Sequence, residues 1–278
     1  MTTLLSWTGI DTHGPASIYI ASDSRISWGR GKYWNVGRKI FASKTSPEIF
    51  GYCGSVTFPI QILGQLVELI DSGLLFVADD GFAVKLEKLR TKINDSYRSQ
   101  PISQHDACEI IYASRVGSKM SSTFHAAIIK VSAKGVMVEN CVLPETSGII
   151  ASSGSGKPSL YHSYDEWTGP KVKDPQGRGR TSRSVFGAFC DALASGKDPY
   201  SGGPPQLVGL YKVGAAISFG VIHNGSRFMN GLEINDNPFL NNIEWRNNLF
   251  ERCCGKTMNI LEKAQRQPRP HNASENSR

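Results

Sequence analysis

Met1-Thr2-Thr3 opens the chain, and Leu4-Leu5-Ser6-Trp7 follows as a short apolar segment of strand type. A threonine hydroxyl is a poor nucleophile and needs a base beside it. A threonine that heads a mature chain carries one covalently, its own α-amine. The ordinary pKa of that amine, about 7.7–8.0, leaves much of it neutral near pH 7 and suits it to act as a general base. The small side chain of Thr2 suits removal of Met1 by a methionine aminopeptidase, and no longer propeptide is expected. The chemistry is meaningful only if the rest of the chain supplies partners for the hydroxyl and the amine.

Three further stretches carry polar residues next to strands. In "IYIASDSRISWG", Asp23 and Arg25 follow a strand, and Lys39 lies sixteen positions beyond Asp23. In "FGYCGSVTF", a strand runs into Gly54 and then a helix. In "DPYSGGPPQLVGLYKVG", Asp198, Ser201, Gly202 and Gly203 cluster before a strand. Taken singly, each has an ordinary reading. Asp23-Ser24-Arg25 is a polar turn, Lys39 a solvated strand residue and Ser201-Gly202-Gly203 a loop. Gly154 to Lys157 is not a phosphate loop, because Ala151 and Pro158 stand where that motif needs Gly and Ser or Thr. Cys53 sits in an apolar strand without a paired histidine and reads as packing. His125 and His223 lie in strand-like segments and read as core or surface residues.

Taken together, in order along about residues 2–230, these pieces resemble the β-type subunits of the 20S proteasome and their bacterial ring-forming relatives, among the N-terminal nucleophile hydrolases. That family carries an N-terminal Thr-Thr, an Asp-Ser-Arg after the second strand and a lysine sixteen residues later. It also carries a glycine before the first helix, a Gly-Ser-Gly (here Gly154-Ser155-Gly156) and an Asp-x-Tyr-Ser-Gly-Gly. The resemblance implies an α+β fold, a four-layer αββα sandwich of two antiparallel sheets. It implies a threonine endopeptidase enclosed in a ring, with Thr2 as nucleophile. Lys39 would sit beside the hydroxyl and lower its pKa, and Asp23 would hold Lys39. Ser155, Asp198 and Ser201 would hold the amine and a bridging water, and the N–H of Gly54 would face the oxyanion. Ile26, Tyr52 and Val56 would line a small or apolar substrate pocket. The expected partners are a peptide or unfolded-protein substrate, copies of the same chain in stacked rings and a separate ATP-dependent unfoldase. No cofactor, metal, nucleic acid or membrane is expected, and the expected compartment is the cytoplasm. The same nucleophile chemistry would also serve an amidase acting on a small amide. An inactive structural subunit is disfavoured by Thr2, Asp23 and Lys39 occurring together.

The elements that must position these residues are legible from periodicity. Strands are expected at Thr3–Trp7, Ser17–Ala21, Arg38–Phe41, Ile49–Tyr52 and Ile149–Ala151. Hairpins are expected over residues 124–142, around Ser-Ala-Lys-Gly, and over 207–223. Apolar residues at three- and four-residue spacing predict helices over Phe58–Leu75, Phe82–Tyr97 and Ser184–Leu193, with His105–Ala113 resuming the second after Pro101. Strands and helices come in groups rather than in βαβ alternation, as in α+β proteins. Residues 1–235 are read as the hydrolase domain and 236–278 as an extension, with a helix at about 243–263 and a disordered tail from 266. Residues 167–182 read as an exposed insertion.

Composition narrows the class. The chain has 278 residues, 40% hydrophobic and 20% charged, enough for a sizeable core without disulfides. Its six cysteines form neither C-x-x-C nor a zinc pattern, which suits a reducing compartment. No apolar run reaches membrane-span length. The formal charge of +7 is concentrated in residues 171–183 and the last thirty positions, loop-like and tail-like places that argue against a nucleic-acid surface.

Overall fold

The computed structural model describes residues 2–28, 31–169 and 179–270. Most of the expected insertion (170–178) and the last part of the expected tail (271–278) lie outside the described residues.

The chain begins with the hairpin β1 (Leu4–Asp11) and β2 (Gly14–Ser22). The small hairpin β3 (Ile26–Trp28) and β4 (Lys32–Trp34) follows, then β5 (Ile40–Ala42) and β6 (Glu48–Gly54). Two helices, α1 (Thr57–Asp71) and α2 (Phe82–Arg98), lead into the meander β7 (Cys108–Val116), β8 (Thr123–Ser132) and β9 (Gly135–Cys141). After β10 (Gly148–Ser153) come α3 (Lys157–Thr168) and α4 (Ser182–Ala194). The remainder is β11 (Gln206–Tyr211), β12 (Ile217–Ser218), β13 (Gly220–His223), β14 (Ser226–Met229), β15 (Leu232–Glu233), β16 (Trp245–Asn247) and β17 (Arg252–Cys253).

Two five-stranded antiparallel sheets form the body, ordered β10-β1-β2-β11-β12 and β5-β6-β7-β8-β9. Side chains alternate across a strand, so β1 sends Leu4 to one face and Leu5 and Trp7 to the other. Leu4 joins Ile18, Ile20, Ile49, Ile111 and Val208 in the core between the sheets. Leu5 and Trp7 meet Leu160 of α3 and Phe186 and Phe189 of α4 on the outer face. On the second sheet, Phe50, Tyr112 and Ile129 pack outward against Leu63 and Leu66 of α1 and Leu89 and Ile93 of α2. Each such side chain removed from water contributes about 1.5–3 kcal/mol, which makes the three apolar layers the main source of stability. The result is helix, sheet, sheet, helix: the four-layer αββα sandwich.

The helices end where their chemistry changes. In α1, Ile62, Leu63, Leu66 and Ile70 form the buried stripe, and Gly73 takes the left-handed turn after it (φ +70°). The first turn of α4 is closed by a capping box between Thr181 and Ser184.

Four expectations are corrected. His105–Ala113 does not resume a helix. Cys108–Val116 is the central strand β7 of its sheet, buried on both faces, so its apolar residues do not alternate. The stretch 207–223 is not one hairpin, because β11 turns back only to β12, and β13 starts a third sheet, β15-β14-β13-β16-β17. Residues 243–263 form no helix. β16 pairs in parallel with β13, β17 pairs with β16, and Phe250 and Met258 take left-handed conformations that interrupt any helix. The residues just beyond are anchored rather than loose. The N–H of Gln267, itself buried, donates to Glu251, and Arg269 pairs with Asp191 of α4. A further helix, α3, was not expected; its Pro158 sits in the first turn, where no backbone N–H is lost.

Candidate active site

Thr2 stands just before β1 and Asp23 just after β2, side by side because the two strands are a hairpin in the middle of their sheet. Lys39 stands just before β5 in the other sheet. The site therefore lies where the ends of the two sheets meet. Lys39 Nζ donates to Thr2 Oγ1 at 2.7 Å and to Asp23 Oδ1 at 2.9 Å. All three residues are buried. A buried ion pair persists only when its groups find further hydrogen bonds, and here both oxygens of the carboxylate do. Asp23 Oδ1 also accepts from the N–H of Thr3 at 3.1 Å, and Oδ2 accepts from the N–H groups of Arg25 and Gly202, each at 2.9 Å. Burial pulls the Lys39 ammonium below the ordinary lysine pKa, and the Asp23 carboxylate opposes that pull.

A second carboxylate sits nearby. Asp198 Oδ2 accepts from Ser155 Oγ at 2.8 Å and from Ser201 Oγ at 2.6 Å. Thr3 Oγ1 donates to Ser201 Oγ at 2.8 Å and links this cluster to the start of the chain. Ser155 belongs to the turn between β10 and α3, whose Gly156 N–H donates to Thr2 O at 3.3 Å. Gly154 lets that turn come so close: its φ is +95°, and a Cβ there would lie 2.0 Å from Thr2 O. Asp198 and Ser201 belong to the loop between α4 and β11.

Gly54 ends β6 opposite Cys108, exposed, with φ +95°. A Cβ there would meet the carbonyl of Ala107 at 2.8 Å. Of the three expected pocket residues, Ile26 is 5% exposed and Tyr52 1%. Tyr52 lies in the core under α1 and α2, its hydroxyl donating to Arg38 O at 3.0 Å, and so offers no surface to a ligand as placed. Val56 is partly buried at the start of α1. Burial pushes the Cys53 thiol up to about 12, far from a thiolate at neutral pH.

The sequence signal passed over three contributors: Thr3, the backbone of Gly202 and the side chain of Gln206, whose Oε1 accepts from the backbone N–H of Lys39 at 3.1 Å. Thr3 was visible in the Thr-Thr pair, and the other two stood inside a stretch noticed for its serine and aspartate. Among the described residues, no group of three or more His, Cys, Asp and Glu is placed to hold a metal ion, and no helix is long and apolar enough to cross a membrane.

No protein-family model and no curated protein matches the chain. Among solved structures it is similar to eukaryotic HslV from Trypanosoma brucei, at 14% identity over 75% of this chain and 99% of that one, with a TM-score of 0.46. It is also similar to Thiobacillus denitrificans BPH in complex with epoxomicin, at 20% identity over 76% of this chain and 100% of that one, with a TM-score of 0.45. At such scores the likeness carries no functional argument, and chemistry is read from the site alone. The four-layer sandwich of two antiparallel sheets between helix pairs is the fold that the resemblance to the proteasome β-type family implies.

Proposed function

We propose that this chain is a threonine-type endopeptidase of a proteasome-like ring, hydrolysing peptide bonds with Thr2 as nucleophile. The observation that carries the reading is the buried line of Asp23, Lys39 and Thr2, with the ammonium 2.9 Å from the carboxylate and 2.7 Å from the hydroxyl. A charge held in a water-poor site at the threonine oxygen lowers the cost of turning that hydroxyl into an alkoxide. The α-amine of Thr2, freed when Met1 is removed, takes the hydroxyl proton as Oγ1 attacks the peptide carbonyl and later gives it to the leaving amine. The N–H of Gly54, an exposed residue, stabilises the oxyanion of the tetrahedral intermediate. Water then cleaves the ester on Thr2, with the same amine as base. Ser155, Asp198 and Ser201 form the polar wall next to Thr3 that keeps the start of β1 in register.

The substrate is a peptide or unfolded protein, brought by an ATP-dependent unfoldase, and copies of the chain assemble into stacked rings around the site. The helix layer over β6 and β7 supports the last point. Beyond α1 it presents Leu74 and Val77, largely exposed, beside a groove of about 480 Å³ bordered by Lys88 and Thr91 of α2. Exposed apolar side chains around a groove mark a surface for another protein chain.

Thr2→Ala decides the chemistry. Hydrolysis of fluorogenic peptides should vanish while far-UV circular dichroism and assembly stay unchanged. A Thr2→Ala protein that still cleaves refutes the mechanism. A tag that remains before Thr2, its presence verified by intact mass, should also abolish turnover, because it removes the amine.

A further inference from the structure

Gln206 is the first residue of β11, paired across the ladder with Ser22 of β2, and its side chain has no exposure. A primary amide without partners is costly to bury, so its groups must be accounted for. Oε1 accepts from the backbone N–H of Lys39 at 3.1 Å. Nε2 lies 2.7 Å from Gly37 O, 2.9 Å from Ser24 Oγ and 3.2 Å from Asp23 O. Ser24 Oγ gives its own proton to Pro204 O at 2.6 Å, so it faces Nε2 as an acceptor. The orientation of the amide is therefore determined. Turned over, it would set its NH₂ against the N–H of Lys39 and its oxygen against two carbonyls.

One side chain thus grips the main chain at both members of the ion pair, the carbonyl of Asp23 and the N–H of Lys39. It reaches them from a third strand and touches neither charged group. The two gripped segments belong to different sheets, Asp23 following β2 and Lys39 preceding β5. Other contacts here, Ser24 N to Gly202 O and Gly37 N to Ser24 O, each at 2.9 Å, fix Ser24, and Tyr52 N–H holds the Lys39 carbonyl at 3.0 Å within its own sheet, so Gln206 is what ties the Lys39 N–H to the opposite sheet. The hydroxyl contact of Lys39 is long-reach: its side chain spans from the β5 edge to Thr2, and a small displacement of its backbone carries Nζ off the hydroxyl.

We infer that Gln206 is a positioning residue that sets the Lys39 ammonium against Asp23 and Thr2, an inference that rests on the threonine-nucleophile reading above. The sign of its effect follows. Asp23 raises the Lys39 pKa against the pull of burial. A looser Asp23–Lys39 contact lets that pKa fall further, so the alkaline limit of activity moves to lower pH.

The test is Gln206→Met, close in volume and without hydrogen bonds, compared with Gln206→Glu. In its neutral form the latter keeps an acceptor for the Lys39 N–H and one donor for Gly37 O. Turnover of a fluorogenic peptide is measured against pH and normalised to folded protein by circular dichroism. The expected result for Gln206→Met is a kcat lower by up to about a hundredfold, on the scale of a catalytic group misplaced by an ångström. KM should stay within about twofold, and the alkaline limb should shift to lower pH. Gln206→Glu should recover part of kcat at the acidic end of the profile. Normal kcat with an unmoved alkaline limb in Gln206→Met overturns the inference. So does a loss that only follows the folded fraction, leaving the profile unmoved. If Gln206→Met does not fold, Gln206→Glu decides alone: a wild-type kcat and profile over the whole pH range overturn the inference, and a loss that grows with pH supports it. Failure of the underlying reading looks different, because Thr2→Ala would then stay active whatever Gln206 does.

Discussion

The Lys39 ammonium and the Thr2 hydroxyl, from opposite sheets and 37 positions apart in sequence, share a 2.7 Å hydrogen bond in a buried site. On the proposed reading they act as a unit, and members of such a unit do not contribute additively. Lys39→Ala should lower kcat by at least about a thousandfold. Adding it to Thr2→Ala should cost little more than either change alone. A double mutant cycle on fluorogenic peptides measures this, and additive losses would separate the two residues.

Activity should trace a bell against pH. On the acid side the Thr2 amine must be neutral to act as base. The Lys39 charge beside it disfavours its protonated form, so the acid limb should fall below the free value of about 7.7–8.0. On the alkaline side Lys39 must keep its proton. Burial sets its pKa below the ordinary lysine value, so activity should drop earlier than an exposed lysine would allow. Stability moves the other way. Between the folded and unfolded pKa of Lys39 the unfolded chain binds more protons, so the Lys39 contribution to stability rises with pH across that window. Profiles of kcat/KM and of Tm against pH check both signs, and an alkaline limb at the ordinary lysine value would contradict the first.

Gly54→Ala tests the role proposed for this strand end in holding the oxyanion. The added Cβ meets the Ala107 carbonyl at 2.8 Å in a backbone of φ +95°. The strain is expected to cost about 1–3 kcal/mol in denaturant unfolding. Peptide hydrolysis should fall by more than the loss of folded protein explains. Unchanged stability would show that the strand end relaxes freely.

Assembly should depend on the apolar surface after α1. Leu74→Glu places a charge on a side chain that is 75% exposed in the single chain, so a monomer should tolerate it within about 0.5 kcal/mol. In a ring it should weaken association. Light scattering at micromolar concentration should find the parent chain well above its 30.4 kDa and the variant shifted toward it. A parent protein that stays monomeric and still cleaves peptides would reject the ring and move weight to an amidase.

Much of this architecture was legible in the sequence, for identifiable reasons. The β1–β2 hairpin, α1, α2, α4 and the β8–β9 hairpin each show one clean period and a turn or cap at their ends. What failed to show is equally specific. Cys108–Val116 is buried on both faces, and a strand without alternation is indistinguishable from a buried helix over so few residues. The apolar residues after 243 have helix-like spacing, but they are held by pairing with β13, a long-range contact that no local period encodes. Pro158 was weighed only against a phosphate loop, and its place in the first turn of α3 is visible only once the turn exists. At the site, charged residues beside strand ends stood out, whereas Gln206 did not. An uncharged amide gains its meaning only from the backbone groups around it.

The contacts of Thr2 and Thr3 reach far along the chain: Thr3 to Asp23 across 20 positions, Thr2 to Lys39 across 37 and Thr3 to Ser201 across 198. A nascent chain that has not yet folded its α4–β11 loop onto β1 has no wall beside the threonine. Closing so long a loop belongs to the slow part of folding, because its entropy must be lost before the contact rewards it. On the proposed reading, hydrolytic competence is therefore a late property of the completed fold, absent from a chain cut short before Ser201.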